Sequence, residues 1–207
     1  MTKNFLHVGP GLSYKDNTTP VFNSNEWNEV RLDINPDVNP DIVSSIQDMS
    51  VIKDSSYDAV YSAHNIEHVF AHEVLPTLKE FMRVLNDDGF LVITCPDIKS
   101  VCRLIGEGKI GQKLYTAPSG NIYPLDILYG HRPSMAAGNE YMAHRYGFSS
   151  ESLISFLNQT GFKSFVVGED KPSYALWALA YKSKSLTQEE LSAHISQHVN
   201  KKRSNNG

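Results

Sequence analysis

The tripeptide Gly9-Pro10-Gly11 directly follows an apolar run, residues 5–8. Glycine has no Cβ, so it adopts positive φ and lets a ligand approach the backbone closely. Ligands of open α/β sheets bind outside the carboxyl ends of the strands, where such a loop would lie. These three residues are therefore candidates for a cofactor-binding loop, although a glycine pair alone is equally typical of a plain turn.

Two carboxylates follow the next two apolar segments. Asp33 ends the second segment, 22 positions after Gly11, where a carboxylate can accept both ribose hydroxyls of an adenosine-containing cofactor. Asp48 follows the third segment, where an acid can accept the adenine amino group while Met49 covers the ring. Asp33 alone could be a turn cap, but the ordered set of glycines and acids favours a cofactor site.

Three histidines are spaced by four residues, at His64, His68 and His72. On one continuous helix they would share a face, and two of them could ligate a metal ion. The segment is also a helix start, where His68 can pack structurally, and the zinc-hydrolase motif HExxH is absent. We therefore expect no metal site, although the sequence leaves open whether this set binds one.

Two His-Arg pairs lie in residues 101–150, a segment that holds 7 of the 13 glycines and 5 of the 10 tyrosines. Long segments of weak periodicity inside a domain are usually functional, so we predict an insertion that covers a site. Histidine can act as a general base near neutral pH, and arginine binds carboxylates or phosphates. The candidate catalytic residues here are His144 and His131, and the candidate substrate-binding residues are Arg132, Arg145 and Tyr146.

The elements that would position these residues alternate between strands and helices. The predicted strands are residues 5–8, 30–34, 41–46, 57–62, 90–95, 163–168 and 175–181. The predicted helices are residues 66–85, as one helix or as two broken near Pro76, then one after the Ser149–Ser152 cap and one after Thr187. This alternation predicts an α/β fold with a parallel sheet, in which the very apolar segment 175–180 is an inserted central strand.

The composition narrows the class of protein. The chain has 207 residues, 41% hydrophobic and 20% charged, with a formal net charge of −4. These values exclude a disordered chain and offer no cationic field for nucleic acid or an anionic membrane. Two cysteines outside any CxxC pair, no run of about 18 apolar residues and no signal-peptide pattern lead us to expect a cytoplasmic protein.

We predict a single domain in three parts. The core comprises residues 1–100 and 148–183, the insertion is residues 101–147 and forms a lid over the substrate, and a polar C-terminal helix and tail span residues 184–207. The last residues, 201–207, are expected to fray.

Several stretches together resemble a known family, the class I S-adenosylmethionine (SAM)-dependent methyltransferases, and in particular their type 11 branch. The stretches are residues 6–11 (LHVGPG), 32–34 (LDI), 46–49 (IQDM), 57–69 (YDAVYSAHNIEHV) and 78–89 (LKEFMRVLNDDG). The resemblance implies a Rossmann-like, mostly parallel seven-stranded sheet with helices on both faces. Two features depart from the family pattern: His7 replaces the usual acid, and no third glycine follows Gly11. The helices at the N-terminal end also look reduced.

The resemblance also implies roles for individual residues, with SAM as the cofactor. Gly9, Pro10 and Gly11 would contact its methionine part, and Asp33 and Ile34 its ribose. Asp48 and Met49 would hold the adenine. His64 and Asn65 would lie near the sulfonium and the methyl acceptor, which makes His64 a third candidate catalytic residue.

The expected function is methyl transfer from SAM to an oxygen or nitrogen atom of a small molecule or sugar. No nucleic-acid partner is expected, because Ser62–Asn65 lacks the signature of base methylation and the net charge is negative. No membrane or metal partner is expected either. The sequence leaves open whether the chain forms a homodimer. One alternative is a nicotinamide- or nucleotide-sugar-dependent Rossmann enzyme. The other is a non-catalytic methyltransferase-like binding module.

Overall fold

The structure is a computed structural model that describes residues 2–117 and 119–199. The strands are β1 Lys3–Val8, β2 Trp27–Asp33, β3 Ile42–Val43, β4 Tyr57–Ala63, β5 Leu85–Pro96, β6 Tyr115–Ala117, β7 Gly120–Ile122, β8 Ser164–Asp170 and β9 Ala175–Tyr181. The α-helices are α1 Val74–Val84, α2 Ile98–Gly106, α3 Pro124–Tyr129, α4 Arg132–Ala136, α5 Ser150–Thr160 and α6 Gln188–His198. The tail expected to fray, 201–207, lies outside the described residues.

Seven strands form one sheet in the order β3-β2-β1-β4-β5-β9-β8. The first five are parallel to one another, and β9 runs antiparallel to both of its neighbours, β5 and β8. The predicted Rossmann-like, mostly parallel sheet is confirmed, including the inserted position of β9. The third strand is shorter than predicted, and Ile34 lies just beyond the end of β2.

Neighbouring residues of a strand point to opposite faces of the sheet, and here both faces carry buried apolar side chains. Helices therefore cover both faces. On β4, Val60 belongs to the core under α1 and α5, to which Phe81 and Leu157 contribute. Tyr61 belongs to the opposite core, which is closed by Leu191 of α6.

The helix predicted over residues 66–85 is divided. Short 3-10 turns at Ile66–His68 and Ala71–Glu73 precede α1. Pro76 lies in the first turn of α1, where a missing N–H costs no hydrogen bond, so it does not break the helix. His64, His68 and His72 therefore do not lie on one continuous helix, which was the condition for a shared face.

The N-terminal connections are reduced, as expected. In the fully described stretch from β1 to β3, the only helical turns are the 3-10 turns Lys15–Asn17 and Pro36–Val38. Arg31, which is 4% exposed, fills the space between these connections. Its guanidinium donates hydrogen bonds to the carbonyls of Gly11, Ser13, Val38 and Asn39. One buried side chain therefore ties the loop after β1 to the loop after β2.

The predicted insertion has a small core of its own, formed by Val101, Ile122 and Ile127. The chain leaves the insertion beside the end of β5, where Ile98 N, at the start of α2, donates to the carbonyl of Phe148 over 2.9 Å. The three-part division at residues 100, 147 and 183 stays a prediction.

Candidate functional site

A cavity opens at the carboxyl ends of β1, β2 and β4, where an open α/β sheet places its ligands. The predicted site residues that line it are Gly9, Gly11, Asp33, Ile34, His64, Asn65 and Arg145. The structure thus brings together most of the predicted cofactor residues and one of the two predicted arginines.

The loop after β1 depends on its two glycines for different reasons. Both have positive φ, +60° at Gly9 and +56° at Gly11. A Cβ on Gly9 would lie 1.4 Å from Nδ2 of Asn65, whereas a Cβ on Gly11 would meet no atom within 4 Å. Pro10 is buried between them and does not line the cavity. Gly9 therefore makes room for a neighbouring site residue, and Gly11 supplies the turn.

Asp33 is held firmly at the end of β2. Its Oδ2 accepts a hydrogen bond from Gly11 N and its Oδ1 one from Asn35 N, both over 2.9 Å. An ionised carboxylate has about four acceptor positions, so capacity remains for a ligand. The side chain is 7% exposed and lines the cavity. Asp33 thus presents an oriented acceptor to the cavity and fixes the glycine loop.

The residues predicted to hold the adenine lie elsewhere. Asp48 is exposed and accepts from Ser50 N, while Met49 is fully buried in the core. Neither lines the cavity, because β3 ends at Val43 and the turn that follows directs Asp48 away. Ile46 and Gln47 line the cavity in their place. Sequence reasoning missed them, although Ile46 ends the predicted strand and Gln47 follows it directly.

His64 lies at the end of β4 and faces two cavities. Its φ is +49°, a conformation that non-glycine residues adopt rarely and often at functional sites. Its side chain is 53% exposed. It lines both the cavity already described, the first cavity, of about 250 Å³, and a second cavity of about 260 Å³.

The second cavity has a polar wall. Thr94 and Trp177 line it, from β5 and β9, together with Thr18 from the loop after β1. The Thr94 hydroxyl is buried and, among the described residues, has no hydrogen-bond partner. A ligand with polar groups would supply one.

Of the predicted substrate-binding residues, Arg145 alone lines the first cavity, with its guanidinium 4.6 Å from the centre of the Phe70 ring. Arg132 is instead paired with Asp126 over 2.7 Å. Tyr146 packs edge-on against Phe148 in the core, with ring centres 4.8 Å apart. The side chain of Arg132 thus pairs within the insertion and that of Tyr146 packs against the core, away from the first cavity. Their contact with a substrate stays a prediction.

The two histidines of the insertion that were predicted as bases are largely buried. His131 is 7% exposed, and its Nδ1 lies 2.7 Å from Oγ of Ser134. His144 has an 11% exposed side chain, and burial lowers its pKa below the ordinary value. Neither lines either cavity, so direct contact with a substrate is not what their positions favour.

A cluster that the sequence did not predict lies beside the first cavity. Glu67 is 1% exposed and lies next to His68 and His144, while His72 is exposed and stacks on Phe70. His144 is 77 positions from Glu67, so no local spacing in the sequence pointed to this group.

Residues 14–93 match the family model described as methyltransferase domain. No curated protein is significantly similar to the chain in sequence. A SAM-dependent methyltransferase from Methanosarcina mazei is similar in structure, with a TM-score of 0.57, 15% identity, and coverage of 88% of this chain and 94% of that one. The 1,6-didemethyltoxoflavin-N1-methyltransferase from Burkholderia thailandensis, with bound 1,6-didemethyltoxoflavin and S-adenosylhomocysteine, has a TM-score of 0.55 and 12% identity, with coverage of 88% of this chain and 72% of that one. The CurJ carbon methyltransferase has a TM-score of 0.53 and 15% identity, with coverage of 88% of this chain and 49% of that one.

Proposed function

We propose that this chain is a class I SAM-dependent methyltransferase that binds SAM in the first cavity and methylates a small molecule held in the second. The sheet order confirms the predicted fold class, and the match of residues 14–93 to a methyltransferase domain supports the predicted family, the enzyme and SAM as its cofactor. The same match argues against the nicotinamide enzyme. The turnover assay below separates an enzyme from the other alternative, a non-catalytic methyltransferase-like module.

The position of the Asp33 carboxylate is the observation that carries the cofactor assignment. Its carboxylate is fixed by two backbone N–H groups at the end of β2 and turned towards the cavity. Two hydroxyls on neighbouring carbons, as on a ribose, can both donate to one carboxylate. The apolar side chains of Ile34 and Ile46 line the same cavity and suit the faces of an adenine ring.

The other end of the cavity fits the methionine part of SAM. The Asn65 side chain occupies the space that a Cβ on Gly9 would take. Its Oδ1 is buried and, within the described chain, has no hydrogen-bond partner. An ammonium group carries the N–H that this oxygen lacks. Bound there, SAM supplies an electrophilic methyl group.

The work of the protein is then mainly to orient the acceptor. His64 lies between the two cavities, so its ring can take a proton from an acceptor in the second cavity. The polar wall around Thr94 suits hydroxyl or amine groups, which supports an oxygen or nitrogen atom of a small molecule or sugar as the acceptor. Two of the similar structures are named an N1-methyltransferase and a carbon methyltransferase, so they do not select the methylated atom.

An assay of turnover tests this assignment of the two cavities. Purified protein is incubated with SAM and a panel of small hydroxylated and amine compounds, and S-adenosylhomocysteine release is measured. For any accepted compound, His64→Ala is expected to lower kcat by about 100-fold, the usual contribution of a general base. His72→Ala is the matched control, because His72 is exposed and lines neither cavity. An unchanged kcat in His64→Ala would remove His64 from the mechanism.

Other partners stay at the level of proposals. Within the described residues, no helix has the length and apolar character needed to cross a bilayer. The cytoplasmic location, the homodimer and the lack of a nucleic-acid partner stay predictions from the sequence.

A further inference from the structure

Three side chains beside the first cavity have the donor set of a metal site. Glu67, His68 and His144 each offer one ligand atom, and these atoms all lie within 4.8 Å of one another. Glu67 comes from the turn after β4, as does His68, whereas His144 comes from the insertion. The cluster therefore joins two parts of the chain that are far apart in sequence.

Both histidines are oriented in the way that metal ligands usually are. Nδ1 of His68 lies 2.9 Å from the carbonyl oxygen of Ala143, and Nδ1 of His144 lies 2.8 Å from that of Ile127. A carbonyl only accepts, so each Nδ1 is the protonated nitrogen and each Nε2 keeps its lone pair free. Such second contacts fix the tautomer and the ring direction of ligating histidines.

The carboxylate of Glu67 is buried beside histidine rings, at distances longer than a good hydrogen bond. Its side chain is 1% exposed, and neither oxygen accepts a hydrogen bond from the described residues. The nearest ring nitrogens are His64 Nδ1 at 3.5 Å and His144 Nε2 at 4.0 Å from Oε1. A buried carboxylate without a donor or a cation is costly, by several kcal/mol or more.

We propose that Glu67, His68 and His144 bind one divalent first-row transition metal ion, for which Zn²⁺ is the probe. Two imidazoles and a carboxylate are a set that Zn²⁺ accepts, with a fourth position left open. Ligands at about 2.1 Å from one ion lie about 3.5 Å apart, so the side chains close by about 1 Å on binding.

A divalent cation would give the buried carboxylate of Glu67 the partner that it lacks among the described residues. It would also accept the free Nε2 lone pairs of His68 and His144.

The ion would fasten the insertion to the sheet. The carbonyl of Glu67 already accepts from Arg145 N over 2.8 Å and from Tyr146 N over 3.1 Å. Holding His144 in the same cluster would fix the adjacent Arg145, which lines the first cavity. This is a positioning role, and the metal binding itself does not depend on the proposed methyl transfer.

Metal content and affinity test the proposal directly. Tag-free protein is stripped with a chelator and titrated with Zn²⁺ against a chromophoric competitor. We expect one ion per chain with a dissociation constant of about 1 µM or tighter, and a loss of affinity of at least about 100-fold in Glu67→Gln and in His144→Gln. His72→Gln is the matched control, since this exposed histidine lies outside the cluster.

Cobalt substitution provides a readout on the unaltered chain. Co²⁺ bound by nitrogen and oxygen ligands at low coordination number is expected to give visible absorption bands, which Glu67→Gln abolishes while its thermal unfolding stays cooperative. Binding weaker than about 100 µM by the wild-type chain, or equal affinity in the wild type and both cluster variants, would overturn the proposal. Loss of binding in His72→Gln would also overturn it, since the ion would then lie at the surface.

Discussion

A single absent Cβ shapes the cofactor loop. Asn65 Nδ2 occupies the position that a side chain on Gly9 would take, and both residues line the first cavity. Sequence reasoning identified Gly9 from its place after a strand. The contact with Asn65 could not be predicted, because it joins the loops that follow β1 and β4, which are neighbours only once the sheet has formed.

The two loop glycines give a matched pair of variants. Gly9→Ala and Gly11→Ala both place an alanine at positive φ, which costs about 1–2 kcal/mol each. Gly9→Ala also displaces Asn65, which adds about 1–3 kcal/mol of overpacking. We expect Gly9→Ala to have the lower free energy of unfolding in denaturant titrations and the larger loss of S-adenosylhomocysteine affinity. Equal effects of the two substitutions would contradict the close contact.

His144 shows the limit of reading a residue type. A histidine beside an arginine in a glycine-rich segment suggested a base at the substrate, but its ring lies behind the cavity and faces Glu67. The residue type was informative about chemistry, whereas its place depended on how the insertion packs. Arg145, its neighbour, does line the first cavity.

At the scale of elements, the sequence predicted what local periodicity controls. Ser149 caps α5, as the polar cluster indicated, and Gly161 ends the helix with φ +99°. The helix over residues 66–85 was predicted too long, since spacing alone does not separate 3-10 turns from a helix. The role of Arg31 was also missed, because its partners are backbone carbonyls that no side-chain pattern reveals.

The helix α6 is anchored by a buried histidine near its end. Nδ1 of His198 lies 3.0 Å from Oγ1 of Thr19, and its ring centre is 5.1 Å from that of Phe22. Burial, with a smaller effect of His194, lowers the pKa of His198 to about 4. The neutral ring is thus the form that the folded chain prefers.

Acid should therefore weaken the docking of α6. The unfolded chain binds a proton at His198 below about pH 6.5, whereas the folded chain does so only near pH 4. The stabilisation is complete above pH 6.5 and is lost as the pH falls to 4, by up to about 3 kcal/mol. Between pH 7 and pH 4, we expect the unfolding free energy of the wild type to fall by up to about 3 kcal/mol more than that of His198→Gln. Parallel pH curves for the two proteins would contradict it.

At the scale of the whole molecule, the order of apolar runs was enough to predict the sheet. Strands buried on both faces are nearly continuous apolar segments, and β9 was recognised as a central strand for this reason. The site was predicted where it depends on strand ends, at Asp33 and His64. It was not predicted where distant segments meet, as in the cluster around Glu67 and in the second cavity.

The central claim is that the cavity at the strand ends holds SAM through Asp33. The most direct measurement is calorimetric titration of S-adenosylhomocysteine into the wild type, Asp33→Ala and Asp37→Ala, with thermal unfolding as a check on folding. Asp37 is a matched control, since it is an exposed acid four residues away that does not line the cavity.

We expect the wild type and Asp37→Ala to bind with affinities within about twofold of each other. Asp33→Ala should bind at least about tenfold more weakly, because charge-assisted hydrogen bonds to the ribose contribute about 1.5–3 kcal/mol. Asp33→Ala affinity within twofold of the wild type, or no binding by a folded wild-type chain, would contradict the account.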